Sequence, residues 1–410
     1  MRKIIPYIVL VVGLYLFLFN PPIMRFRELL APANIIIIIS LVYILNKTAF
    51  LRKHIEMFRK EYTLAVILFV YSVLRCLLEG HFDFAFKHFI GLMNIMIVIP
   101  CIIYYFRTHT EGDEKNMIRL ILIVVAIAAS ISMYCLYNPA FNTYIKQRII
   151  QYAEDSFLYE NDWRGFGFSS FLTSQFGYIL GFVFAAGLFY IKENKWFIFF
   201  MPFVLLAIMV NARTGLLIAI AGALCYVLQN KNNKTMSIVM TLVLILVYLS
   251  MDKLFDVVGV SDRTADWITG FEERVGSFFI DDGSSYGNES YFERMVIWPD
   301  TVGEWLFGRG FSLFRNTKGF ISSDIGWIIQ LNFGGIIYML LMLYLFYCIF
   351  RRLLKCKGLS FTLFFIATFI LINTKSTLYP SSSSFCLIML LYFSIVYNNN
   401  AIIKKPLNIS

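Results

Sequence analysis

Residues 325–350 read IGWIIQLNFGGIIYMLLMLYLFYCIF, 26 residues without a charged side chain, bounded by Asp324 before them and by Arg351 and Arg352 after them. A helix that crosses the hydrocarbon core of a bilayer needs about 20 apolar residues, so this run is long enough to span one. Working outward from it, further apolar runs punctuated by charges, Pro or Gly predict helices near 4–20, 29–46, 62–79, 87–106, 117–137, 168–191, 196–211, 214–230, 236–251, 359–374 and 381–398. Pairs such as 196–211 and 214–230 are short, and read equally as tilted, broken or re-entrant helices. The expected fold class is all-α: a polytopic integral membrane protein of about 12 transmembrane helices with one large extracytoplasmic loop.

The whole chain agrees with that run. Of its 410 residues 59% are hydrophobic, 18% aromatic and only 15% charged, with a mean hydropathy of +0.70. Soluble domains carry about 25% charged residues, so a soluble enzyme, a disordered scaffold and a secreted disulfide module are excluded. The net charge of +10 is unevenly distributed. The stretch 251–330 holds seven basic and thirteen acidic residues, a net of −6, and the rest of the chain carries +16. The positive excess therefore sits in loops between apolar runs, where it sets topology; no nucleic-acid partner is expected.

With the N-terminus inside, the cytoplasmic segments collect twenty Lys and Arg, among them Lys47, Arg52, Lys53, Arg59, Lys60, Arg351, Arg352, Lys355 and Lys357. The short outer loops hold Arg25, Arg27, Lys87, Arg213 and Lys375. The positive-inside rule places both termini in the cytoplasm. The expected organisation is transmembrane helices 1–9 over 1–250, a large extracytoplasmic loop over 251–324, and helices 10–12 with a cytoplasmic C-terminus over 325–410. Within the loop, 290–307 reads as an amphipathic surface segment that Pro299 breaks or restarts. Met1, Arg2 and Lys3 precede an apolar run with no small-residue cleavage site, and Asn20-Pro21-Pro22 stops it, as expected of an uncleaved first span. The seven cysteines form no CxxC pair and read as buried, reduced thiols.

The chain has no phosphate-binding glycine loop ending in Lys-Ser/Thr, no HExxH, no GxSxG and no DxD. His81, His88 and Asp83 match no metal-ligand spacing and read as a solvated loop; no metal and no cofactor are expected. Arginines at the ends of apolar segments stand out. Arg213 lies in Asn211-Ala212-Arg213-Thr214-Gly215 between two apolar runs with almost no loop. A guanidinium there is costly, stays charged and grips phosphate bidentately; the alternative is a boundary arginine whose head reaches the lipid headgroups. Arg164 opens Arg164-Gly165-Phe166-Gly167-Phe168, Arg294 lies in the amphipathic segment, and Arg75 falls inside a run. Four arginines converging on one face would suit an anionic headgroup such as a pyrophosphate. Finally, Gly308-Arg309-Gly310-Phe311 is followed by Ser322-Ser323-Asp324 leading into the 325–350 run. Asp324 reads either as a general base or as a helix cap.

In this order, the segments 164–168, 211–215, 294–298 and 308–311 resemble those of the O-antigen polymerase and O-antigen ligase superfamily of bacterial envelope glycosyltransferases, over about 160–350. The first half matches in hydropathy alone. Ligases usually carry a His-Asn pair before the helix that follows the large loop, where this chain has Ser323-Asp324. That difference favours the polymerase.

The resemblance implies a metal-independent polymerase that joins polyprenyl-pyrophosphate-linked repeat units into O-antigen or capsular polysaccharide at the outer face of the bacterial cytoplasmic membrane. Arg213, Arg294 and Asp324 are the implied catalytic residues. Arg164, Arg75, Arg309, Tyr291 and Trp298 are implied for substrate binding, with Tyr286, Trp305 and Trp327 as further rings able to stack on sugars. A flippase and a chain-length regulator are the implied protein partners. The alternatives are a ligase that transfers finished glycan to a lipid or protein acceptor, and a transporter of lipid-linked sugars.

Overall fold

The computed structural model describes residues 4–21, 32–80, 82–110, 113–146, 165, 167–169, 174–211, 213–229, 295–311, 313 and 323–400. Every regular element among them is helical. In chain order the α-helices are α1 (Ile4–Phe19), α2 (Pro32–Leu45), α3 (Thr48–Met57), α4 (Arg59–Glu79), α5 (Asp83–Met93), α6 (Ile99–His109), α7 (Glu114–Tyr137), α8 (Pro139–Tyr144), α9 (Ser174–Phe189), α10 (Met201–Asn211), α11 (Arg213–Gln229), α12 (Val302–Phe307), α13 (Gly326–Lys357), α14 (Leu359–Asn373) and α15 (Ser383–Asn399). A π-helical turn (Asn94–Val98) makes α5 and α6 one continuous 27-residue helix.

The described residues are helical, with long apolar helices compatible with a membrane protein. Among the described residues, four helices are long and apolar enough to cross a bilayer: α4, the α5–α6 helix, α7 and α13. The pair α2–α3, bent by 104°, makes a fifth if it counts as one span. The other apolar helices (α1, α9, α10, α11, α14 and α15) have 10–17 residues, short of the roughly 20 that a full crossing needs. The apolar run 236–251 and most of the 251–324 loop lie outside the described residues. The amphipathic segment expected over 290–307 with a break or restart at Pro299 is described from Met295 on: Val296–Pro299 is non-helical and α12 starts after it. Pro299 forbids continuation; Thr301 then caps the new helix through Glu304 N–H at 3.2 Å, and the Glu304 carboxylate accepts the Asp300 N–H at 2.8 Å.

The chain forms two compact units. One contains α3–α6 and α12–α15. Its α4 runs between two polar clusters about 20 Å apart along the helix, at 1.5 Å per residue from Tyr62 to Arg75. At the Glu61 end, the buried Glu61 carboxylate accepts the Tyr392 hydroxyl at 2.6 Å and pairs with Arg352 at 3.2 Å. Lys357 pairs with the buried Glu114 at 2.5 Å, so two cations near the end of α13 are matched to carboxylates. His54 is buried in α3 between Tyr62 and Tyr397. The Tyr62 hydroxyl donates to the Ile95 carbonyl at 2.9 Å. It must therefore accept from His54 Nε2–H at 2.5 Å, leaving Nδ1 to accept from Tyr397.

The second unit contains α8–α11. Gly177 and Gly181 are four residues apart on α9, and Gly215 of α11 lies against both: a Cβ at Gly181 would overlap the Gly215 carbonyl, and one at Gly215 the Gly177 carbonyl. Small residues at this spacing let helix backbones touch, the usual means of close packing where lipid removes the hydrophobic drive between helices. This contact fixes the start of α11. All seven cysteines are free, five of them buried and Cys348 and Cys356 half-buried.

Candidate functional site

In the second unit, two arginine-bearing segments singled out from the sequence are joined. Asn211 is fully buried, and its Nδ2 donates to Ser132 Oγ at 3.1 Å, to the Gly165 carbonyl at 3.3 Å and to Ala207 O at 2.8 Å. Ser132 Oγ also donates to the Gly165 carbonyl. Gly165 sits so close to α7 that a Cβ there would lie 2.6 Å from the Ser132 carbonyl. Gly167 has φ +57° and faces Ile131, Phe168 packs against the buried pair Cys135 and Ile145, as do Ile131 and Phe141, and the Tyr15 hydroxyl donates to the Phe168 carbonyl at 3.3 Å. The chain directly after Arg164 is thus tied, through Asn211, to the chain two residues before Arg213. Arg213 is the first residue of α11, where the helix dipole and free N–H groups favour a negative ligand. Arg164 itself lies outside the described residues, as do Arg294, Tyr291 and Tyr286.

In the first unit, Arg75, Trp298 and Arg309 gather around a break in α13. Gly335 has φ +66° and ψ −168°, which splits the helix into a nine-residue arm, 326–334, and a longer one, 336–357. Residues 297–310 form a strap that fills the break. Gly308 and Gly335 meet face to face: a Cβ at Gly308 would overlap the Phe333 carbonyl, and one at Gly335 would overlap Leu306. Arg309 N–H donates to Asn332 O at 2.5 Å and Gly310 N–H to Phe333 O at 2.9 Å. The Tyr71 hydroxyl reaches Gly334 O at 2.7 Å and Phe307 O at 3.2 Å. Arg75 Nη2 donates to Gly308 O at 2.7 Å and lies 3.4 Å from Glu79. No protein-family model matches the chain, and no curated protein matches its sequence. The residues around the strap and around Asn211 are therefore the ground for any functional reading.

Arg309 is held within the strap. Its Nη2 donates to the Trp298 carbonyl at 3.1 Å and to Asp300 at 2.9 Å, and its Nε lies 3.1 Å from Glu304. Trp298 is 55% exposed and stacks on Trp305 with ring centroids 5.7 Å apart, an aromatic face able to receive a sugar ring. Asp324 is half-buried, two residues before α13. The turn there is closed by Ser323, whose Oγ accepts the Ile325 N–H at 3.1 Å. Gly326 is pressed against the 373–376 turn, where a Cβ would overlap the Ser376 carbonyl.

Several residues here escape the sequence reading. His88 is not in a solvated loop: α5 starts at Asp83, and the imidazole is buried against Phe84, Phe333 and Tyr379 with Nε2 at 3.0 Å from the Tyr338 hydroxyl. Gln330 and Asn332 are fully buried, and Asn332 Nδ2 donates to the Ile297 carbonyl at 2.7 Å. The signal for the break was present in the run itself. Two amides followed by Gly334-Gly335 inside 26 uncharged residues mark a helix whose backbone needs partners from elsewhere.

Proposed function

We propose that the chain is a bacterial polysaccharide polymerase that extends a lipid-linked glycan at the outer face of the cytoplasmic membrane. In this reading about 12 helices span the membrane, both termini are cytoplasmic, and the 251–324 loop and the strap face outward. The observation that carries the reading is the bond from Asn211 to Gly165, which ties the Arg164 segment to the start of α11 at Arg213. An apolar helix that begins with a guanidinium, beside a second arginine-bearing segment, suits a lipid pyrophosphate.

The reaction follows from the donor. The acceptor sugar's hydroxyl oxygen attacks the anomeric carbon of the growing glycan, the C1–O bond to the pyrophosphate breaks, and polyprenyl pyrophosphate leaves with the bonding electrons. Arg213 and Arg294 stabilise the charge that develops on it, the kind of preorganised electrostatics that is often the largest catalytic contribution. Arg164 adds a phosphate contact, Asp324 takes the acceptor's proton, and the exposed Trp298 ring stacks on sugar. Because the donor is already activated, the scheme requires neither a nucleotide sugar nor a metal.

The reading is tested by measuring polyprenyl pyrophosphate released when purified chain meets lipid-linked repeat units and no second acceptor. One leaving group per new linkage, abolished by Arg213→Ala, supports it. Release only after a separate lipid or protein acceptor is added would make the chain a ligase. Movement of intact lipid-linked units without release would make it a transporter.

A further inference from the structure

A helix that breaks in an apolar environment leaves carbonyls without N–H partners, and each one left bare in lipid costs several kcal/mol. In α13 the carbonyls of Asn332, Phe333 and Gly334 are satisfied from outside the helix, by Arg309 N–H, Gly310 N–H and the Tyr71 hydroxyl. The strap's own carbonyls are held in return, Ile297 O by Asn332 and Gly308 O by Arg75, while Phe307 O lies 3.2 Å from the Tyr71 hydroxyl, whose one proton goes to the nearer Gly334 O. Neither partner is complete without the other, and Gly308 against Gly335 leaves no room for a side chain between them. The clasp stands at a junction in the sequence. Ile297 is three residues after Arg294, and the arm 326–334 starts two residues after Asp324.

We propose that Tyr71, Arg75 and Asn332 are positioning residues: they seat the 297–310 strap in the α13 break and so hold the chain leading to Arg294 against the arm that carries Asp324. This rests on the polymerase reading, and it moves Arg75 from ligand to clasp. Its Nη2 reaches a backbone carbonyl, and a carbonyl needs a donor rather than a charge. A misplacement of about 1 Å is enough to cost roughly 100-fold in rate.

The test uses full-length protein in lipid nanodiscs and two readouts. Amide hydrogen exchange at Arg309 and Gly310 reports the clasp whether or not the chain is an enzyme. Multimer formation from lipid-linked repeat units, with kcat and KM measured separately, reports its effect on the reaction. Tyr71→Phe and the isosteric Asn332→Asp, both checked for an unchanged monodisperse profile, should speed exchange at those amides about 5- to 10-fold. The same variants should lower kcat roughly 10- to 100-fold with KM nearly unchanged. Arg75→Gln, which keeps an N–H donor without charge, should recover most of the rate lost in Arg75→Ala. Unchanged exchange, or faster exchange with unchanged kcat, overturns the positioning role and leaves the polymerase reading standing. Arg75→Gln as inactive as Arg75→Ala, with raised KM, overturns the role of Arg75 and returns it to the headgroup. If wild-type protein forms no multimers, the polymerase reading falls and takes this role with it, whatever the exchange shows.

Discussion

Gly335 and Gly308 show how far single residues decide the site. Gly335 at φ +66° and ψ −168° occupies a region open essentially to glycine alone, at about 1–3 kcal/mol for any other residue, and any side chain there also meets Leu306. Gly335→Ala should therefore destabilise the protein by at least about 1–3 kcal/mol, read as a lower thermal midpoint in detergent, whereas Gly13→Ala, with open space around it, should not. On the proposed reaction, Arg213→Ala should lower kcat by roughly 100- to 1000-fold, the loss typical of one electrostatic donor, and Arg213→Lys should restore only part, because a point charge does not replace a bidentate fork. Steady-state rates of multimer formation check both. The arginines and Asp324 were legible in the sequence because charge beside long apolar runs is conspicuous. The residues that hold them were not. Tyr71 looks unremarkable in a string and His88 reads as part of a solvated loop; what makes them matter is a partner hundreds of positions away, Gly334 for Tyr71 and Tyr338 for His88.

Among elements, α13 carries the most structure. One arm is completed by the strap, and the far end is held by Arg352 on the buried Glu61 and by Lys357 on Glu114. Removing Arg352, which is 34% exposed, leaves the buried Glu61 carboxylate with the Tyr392 hydroxyl as its remaining donor, a loss that solvent screening holds to about 1–3 kcal/mol. Arg352→Met should thus cost about that much, and Glu61→Leu with Arg352→Met together should cost less than Arg352→Met alone. A double-mutant cycle on thermal stability checks this. In the other unit, Gly181→Leu should drive α9 off α11 and destabilise the fold by about 1–3 kcal/mol or more, and through the displaced Asn211 it should also depress activity. Helix positions were legible from hydropathy: α4, α7, α14 and α15 each fall within a few residues of their predicted runs. Breaks within runs were not. The π turn over Asn94–Val98 and the split at Gly335 keep the hydropathy high while changing which backbone groups need partners. The interruption at Pro299 was legible in the sequence, whereas the Arg309 contact to the Trp298 carbonyl was not.

For the whole molecule, the distribution of Lys and Arg predicts cytoplasmic termini and an outward 251–324 loop. A fluorescent reporter fused after residue 410 should fold inside the cell, and a phosphatase reporter placed within 251–290 should be active outside; the reverse pattern would put the Arg213 end of α11 on the wrong side for lipid-linked repeat units. The membrane class was readable from composition, because 59% hydrophobic and 15% charged residues leave no soluble solution. The proposed chemistry rests on a resemblance of short segments, two of which are joined by Asn211. The most direct test of the central claim is the size of the product. Purified protein in lipid vesicles would be given polyprenyl-pyrophosphate-linked repeat units and nothing else, and the glycans followed by mass spectrometry. The account predicts a ladder of lipid-linked multimers that disappears in Arg213→Ala. Repeat units that stay single in the presence of folded wild-type protein would contradict it.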